Sequence, residues 1–134
     1  MTIYALSSGP GISGIAVIRV SGKNTAEVIK KIAGAELPSP RVATLKKFNK
    51  NGGKELIDEG VILWFPAPNS YTGEDLAEFH VHGSRAVINA MHSAISKTAS
   101  NVQVRKAIYK HSLGKYLPYK KYLNKYGKKY SWFN

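Results

Sequence analysis

The chain alternates short apolar runs with tight clusters of turn residues. TIYAL and GIAVIRVSG are strand-like runs separated by SSGPGISG, a Gly/Ser/Pro cluster that predicts two strands joined by a tight loop. The period then changes. Asn24 with Glu27 three residues on reads as a capping box, Ala26, Ile29, Ile32 and Ala33 recur at helical spacing, and Gly34 is placed to end a helix. After the linker ELPSPR, the runs VATLKKF and ELIDEGVILWF flank the turn NKNGGK and predict a hairpin. LAEFHVHG reads as a further strand. From Ser84, a candidate N-cap, the stripe Val87, Ile88, Met91, Ala94 and Ile95 marks a second helix. Strands and helices mix without strict alternation, which predicts an α+β fold, a mixed β-sheet with two or three helices packed on it.

Side chains alternate along a strand, so Glu78, His80 and His82 of LAEFHVHG share one face. Such a set can read a ligand, hold a metal, or form an ordinary polar face. A metal site needs a third ligand and outer-shell support. Neither His92 nor His111 stands at ligand spacing, so no metal site is assigned. Arg19 is the only charge in GIAVIRV, a run apolar on both faces, which predicts a buried guanidinium needing a carboxylate or a ligand. Glu78 is its natural counterpart. Two readings stay open, a structural Arg19–Glu78 ion pair and a ligand-reading pair. No nucleophile motif accompanies the histidines, so no catalytic residue is assigned.

Charge changes the picture at the end of the chain. Residues 1–97 hold 11 Lys and Arg against all 8 acids, whereas residues 98–134 hold 9 Lys and Arg and no acid, with six of the eight Tyr. This divides the chain into a body, residues 1–98, and a basic Tyr/Lys-rich tail, residues 99–134. Tyr119, Tyr122, Leu123 and Tyr126 form a stripe behind Pro118 with lysines opposite, which predicts a helix in the tail. Arg105, Lys106, Lys110 and Lys115, around Ser112 and Gly114, are candidate contacts for phosphate or RNA. The 134 residues contain no cysteine, which excludes disulfides and thiolate chemistry. No run is long enough to cross a bilayer and no signal-like segment follows Met1, so a cytoplasmic protein is expected, with no membrane partner.

GPGISGIAVIRVSG, the VATLKKF…LIDEGVILWF hairpin and LWFPAPNSYTGEDLAEFHVHG together resemble the N-terminal domain of the tRNA-modification GTPase MnmE (TrmE), over residues 1 to about 98. The resemblance implies an α+β domain akin to the folate-binding domains of one-carbon enzymes. It implies a homodimer that holds 5-formyl-tetrahydrofolate or another tetrahydrofolate derivative, with the family's folate-contacting Arg and Glu falling on Arg19 and Glu78. In that family the folate supplies a one-carbon unit for the wobble uridine of tRNA, with the partner protein MnmG and under control of a GTPase domain. This chain has no GxxxxGK[ST] motif and no Cys. It is therefore expected to be a truncated relative without catalysis of its own, keeping only the folate-binding and dimerisation domain. The family's further Lys contact, in an F-x-N-G-K-type segment, is also absent. From about residue 98 to 126 the tail is similar to the closing segment of sulfotransferases, which contacts the 3′-phosphate of the sulfate donor. That likeness leaves two other readings, a basic RNA-binding module and an inactive gene-fusion remnant.

Overall fold

A computed structural model describes residues 1–50, 52–98 and 104–106. The elements follow the chain as β1 (Thr2–Leu6), β2 (Ser13–Ser21), α1 (Thr25–Ala33), β3 (Thr44–Asn49), β4 (Leu56–Phe65), β5 (Leu76–Gly83), α2 (Arg85–Thr98) and β6 (Val104–Lys106). The strands form one six-stranded sheet in the order β3-β4-β5-β2-β1-β6. Neighbours are antiparallel except β6, which runs parallel to β1. Among the described residues the sheet is thus mixed, with two helices on it, as the mixing of strand and helix patterns without strict alternation predicts.

Period-two alternation decides which residues go where. Ile18, Phe79 and Ile62 stand opposite one another on β2, β5 and β4, as do Val20, Ala77 and Trp64. These rows are buried against Val28, Ile29 and Ile32 of α1 and Met91, Ala94 and Ile95 of α2, forming one apolar core. Phe48 and Phe79 meet edge-on within it at 5.3 Å between ring centroids. Each such fully buried large side chain contributes about 1.5–3 kcal/mol relative to exposure.

The helix ends differ from one another. Ser84 caps α2, accepting the N–H of Val87 on its hydroxyl at 3.2 Å. The capping box expected at α1 does not form by side chain: Asn24 makes no cap bond, and Glu27 pairs instead with Lys31 one turn on. The start of α1 is held from outside. Thr2 Oγ1 accepts the N–H of Asn24 at 3.1 Å, and Thr25 Oγ1 donates to the carbonyl of Gly22 at 2.7 Å. Gly34 ends the helix at φ 108°, in the region that favours glycine. Gly22, at φ 133°, lies so close to β1 that an added Cβ would sit 2.5 Å from the carbonyl oxygen of Met1.

On the opposite face of the sheet no helix lies among the described residues. Its rows run Ala5–Arg19–Glu78–Leu63 and Val17–His80–Val61–Leu45 across the strands. Ile15 and Leu45 on this face are 63% and 65% exposed, which an apolar residue in a packed layer would not be. The loop from Pro66 to Asp75 folds against this face beside β2.

Candidate functional site

Arg19 and Glu78 are directly opposed on β2 and β5. Arg19 donates from Nη2 at 2.7 Å and from Nε at 3.2 Å, both to Oε1 of Glu78. The other oxygen, Oε2, is 3.0 Å from Nε2 of His80. An ionised carboxylate only accepts, so His80 carries its proton on Nε2 in this contact. The sequence predicts a buried Arg19, but its side chain is 39% exposed while that of Glu78 is 17% exposed. The physical reason is that no third layer covers this face among the described residues. Arg19 interrupts an apolar run whose outward half meets no helix among the described residues, and its guanidinium keeps contact with solvent.

Burial pushes the Glu78 carboxyl up, but the hydrogen bonds from His80 and Arg19, with the charges behind them, outweigh it and hold the group below the usual carboxylate range. His82 shares the face as expected and is tied to β4. The carboxylate of Asp58 accepts the main-chain N–H of His82 at 2.8 Å and lies 2.9 Å from its Nδ1. Burial also raises Asp58, yet the bonds from His82 and a main-chain N–H bring it below its ordinary value. His80 and His82 are therefore each engaged by a different carboxylate, and no group of three or more potential metal ligands forms among the described residues.

A cavity of about 190 Å³ opens on the β1 side of Arg19, lined by Ile3, Ala5, Arg19, Ser21, Tyr71 and Thr72 among others. Its position separates the roles of the pair. Arg19 forms part of the wall, and Glu78 stands behind it on the next strand. The loop NSYTGED builds the other wall through its own hydrogen bonds. Ser70 Oγ donates to the carbonyl of Glu74, Ser70 O accepts from Gly73 N at 3.2 Å, and the hydroxyls of Thr72 and Ser21 meet at 2.8 Å. Asp75 ties the loop at both ends, accepting Ala67 N–H on its side chain at 2.9 Å and Gly22 N–H on its carbonyl at 2.9 Å. Tyr71 is thereby displayed 91% exposed, with its ring centroid 5.9 Å from Cζ of Arg19. Tyr71, Thr72 and Ser21 are not among the site residues expected from the sequence. An aromatic residue inside a Ser/Thr/Gly turn is the signal that points to them, since a turn needs no large apolar side chain.

Of the basic tail candidates, Arg105 and Lys106 fall in β6, opposite Ile3 and Tyr4 of β1. Lys110 and Lys115, and the helix expected from Pro118 to Tyr126, lie outside the described residues.

The fold and this face define a class, an α+β sheet domain with helices on one side and an Arg–Glu–His cluster beside a small cavity on the other. The model of the family described as GTP-binding protein TrmE N-terminus matches residues 2–108, and the chain belongs to that family, which is associated with a folate-binding domain. The match runs past Thr98 into β6. Among similar proteins, the tRNA modification GTPase MnmE of Pelagibacter ubique is 70% identical over 97 residues, covering 72% of this chain and 22% of that protein. The protein of the same name from Maricaulis maris is 48% identical over 100 residues, covering 75% and 23%. The mitochondrial 5-taurinomethyluridine-[tRNA] synthase subunit GTPB3 of Danio rerio is 50% identical over 94 residues, covering 70% and 19%. The chain corresponds to the N-terminal domain of these relatives and spans about a fifth of their length. No helix among the described residues is long and apolar enough to cross a membrane.

Proposed function

We propose that this chain is a folate-binding and dimerisation module of tRNA modification. It binds 5-formyl-tetrahydrofolate or another tetrahydrofolate derivative through Arg19 and Glu78, and acts as a homodimer with MnmG and tRNA as partners. The observation that carries the reading is the Arg19–Glu78 pair on the face of the sheet opposite the described helices, beside a cavity walled by apolar and hydroxyl side chains. A purely structural pair gains little at this exposure, since solvent screens it. A pterin offers an amide-like N–H next to an amino group, and a carboxylate accepts such a donor pair at two points. Arg19 donates to a pterin oxygen or to a carboxylate of the folate tail.

Size supports the dimer. About 190 Å³ is below the ~300–1,000 Å³ of pockets that enclose a whole small molecule, so one chain offers room for a ring system but not for a complete folate. The exposed Ile3, Ile15 and Leu45 on the same face favour its being covered by a second copy. The chemistry of GTP hydrolysis and uridine modification is assigned to other segments or chains, because this sequence has neither a P-loop nor a Cys. The alternative reading, RNA binding through the tail, rests on 9 Lys and Arg with no acid in residues 98–134, interleaved with six Tyr. Calorimetric titration with 5-formyl-tetrahydrofolate, beside salt-dependent RNA binding, tests both. Folate binding that Glu78→Gln weakens supports the first reading. RNA binding that falls steeply with salt and is lost with the tail supports the second.

A further inference from the structure

We propose that His80 is a positioning residue for Glu78, fixing the plane of the carboxylate that meets the ligand. The proposal rests on the folate reading above. A glutamate side chain has three rotatable bonds, and a two-point contact requires its carboxylate to be held within roughly 10–20° of the productive orientation. Glu78 is anchored at both oxygens, with Oε1 taken by Arg19 and Oε2 by His80. The two anchors are not equivalent. Arg19 lines the cavity and is the more exposed, so a ligand can draw its guanidinium away from Glu78. His80 lies away from the cavity wall, with Val17 and Val61 directly opposite it on the two flanking strands. It is the anchor that stays when a ligand recruits Arg19. Once Arg19 is drawn away, Oε1 is open to a ligand's donors, and Oε2 keeps one lone pair beside its bond from His80.

The same bond helps keep Glu78 ionised, and only the ionised form accepts at both points. The groups facing Glu78 are Arg19 and Leu63 directly opposite on β2 and β4, and His80 on its own strand. Asp58 and Glu59 on β4 and His82 on β5 are the next charged or titratable neighbours along the sheet, and Asp58 is held by His82. His80 is thus the one group on β5 itself that donates to the Glu78 carboxylate among the described residues.

The test uses the full chain in four forms, wild type, His80→Ala, His80→Gln and His80→Asn, each checked for an unchanged melting transition. Two readouts are taken, calorimetric titration with 5-formyl-tetrahydrofolate and the ¹³C NMR titration of the Glu78 carboxyl in the ligand-free protein. His80→Ala is expected to weaken binding about tenfold and to move the Glu78 titration to higher pH, the size of one lost hydrogen bond. His80→Gln places an amide N–H near the position of Nε2 and restores both, whereas the shorter Asn does not. Unchanged binding and titration in His80→Ala would overturn the proposal. So would a loss of binding that Gln fails to restore, because the ring itself would then be the ligand contact. Should the wild type bind no folate, the folate reading falls. The carboxyl titration then decides the positioning alone, a shift in Ala reversed in Gln upholding it and an unshifted titration overturning it.

Discussion

The two faces of the sheet are made from the same strands by the same alternation, yet they differ in what holds them. On the helix side, Ile18, Val20, Phe79 and Ile62 are fully buried and make almost no polar contact. On the open side, alternate residues of the same strands are Arg19, Glu78 and His80, joined by hydrogen bonds and partly solvated. Stability is a property of the first face, because it scales with apolar area removed from water. The second face contributes little to stability at its exposure, and recognition is the role we propose for its polar order. Substitutions on the two faces should therefore separate folding from binding.

The largest effect is expected on the covered face. Phe79→Ala removes a side chain with no exposure from the centre of the core and should destabilise the chain by about 3–5 kcal/mol in a denaturant titration. Gly22→Ala tests the junction between the faces, where a Cβ would meet the backbone of Met1 and Thr2 at 2.5 and 2.6 Å and the φ of 133° is unfavourable for it. A loss of roughly 1–3 kcal/mol is expected, read in the same titration. On the open face, Glu78→Gln turns an acceptor oxygen into a donor facing the ligand's donors. It should cost about 1.5–3 kcal/mol of folate binding while the melting transition moves far less than in Phe79→Ala.

Acid sharpens the comparison with a smaller effect. Glu78 and Asp58 both lie below their ordinary carboxylate values in the folded chain. A depressed carboxylate contributes stability that is present above its unfolded value, near pH 4. That contribution disappears as pH falls through the lower folded value. Stability should therefore decline below about pH 4, and the double variant Glu78→Gln with Asp58→Asn should flatten that decline. The smallest effect is expected from removing residues 107–134, which follow β6. If this basic segment stands outside the core, the melting transition should barely move while RNA binding weakens about equally for all sequences. A large drop in melting temperature would mean that the segment covers part of the open face.

How far the sequence speaks depends on which face is considered. The covered face is legible because burial imposes a period, two in GIAVIRV and LAEFHVHG and 3.6 from Ser84 onward, and the hairpin is legible from its glycine turn. The same rule puts Glu78, His80 and His82 on one face, and charge matches Arg19 to Glu78. What the pattern could not convey is whether the second apolar half of GIAVIRV is covered, which is why Arg19 is expected to be buried and is half-exposed instead. The α1 cap is another case. Asn24 and Glu27 have the right spacing, but Thr2 from a distant part of the chain takes the N–H of Asn24. The cavity wall at Tyr71 and Thr72 arises from contacts between the loop and Ser21 on β2, which no local rule contains. The sequence boundary at residue 98 likewise follows composition, whereas β6 at Val104–Lys106 pairs with β1 through main-chain bonds that composition does not register.

We propose above all that the open face binds a ligand through Arg19 and Glu78. The most direct test is a pair of calorimetric titrations of 5-formyl-tetrahydrofolate into the folded wild type and into Glu78→Gln of equal melting temperature. Saturable binding to the wild type is expected, with a loss of tenfold or more in the variant. A folded, dimeric wild type that takes up no folate would contradict it, and would leave Arg19 and Glu78 as a structural pair.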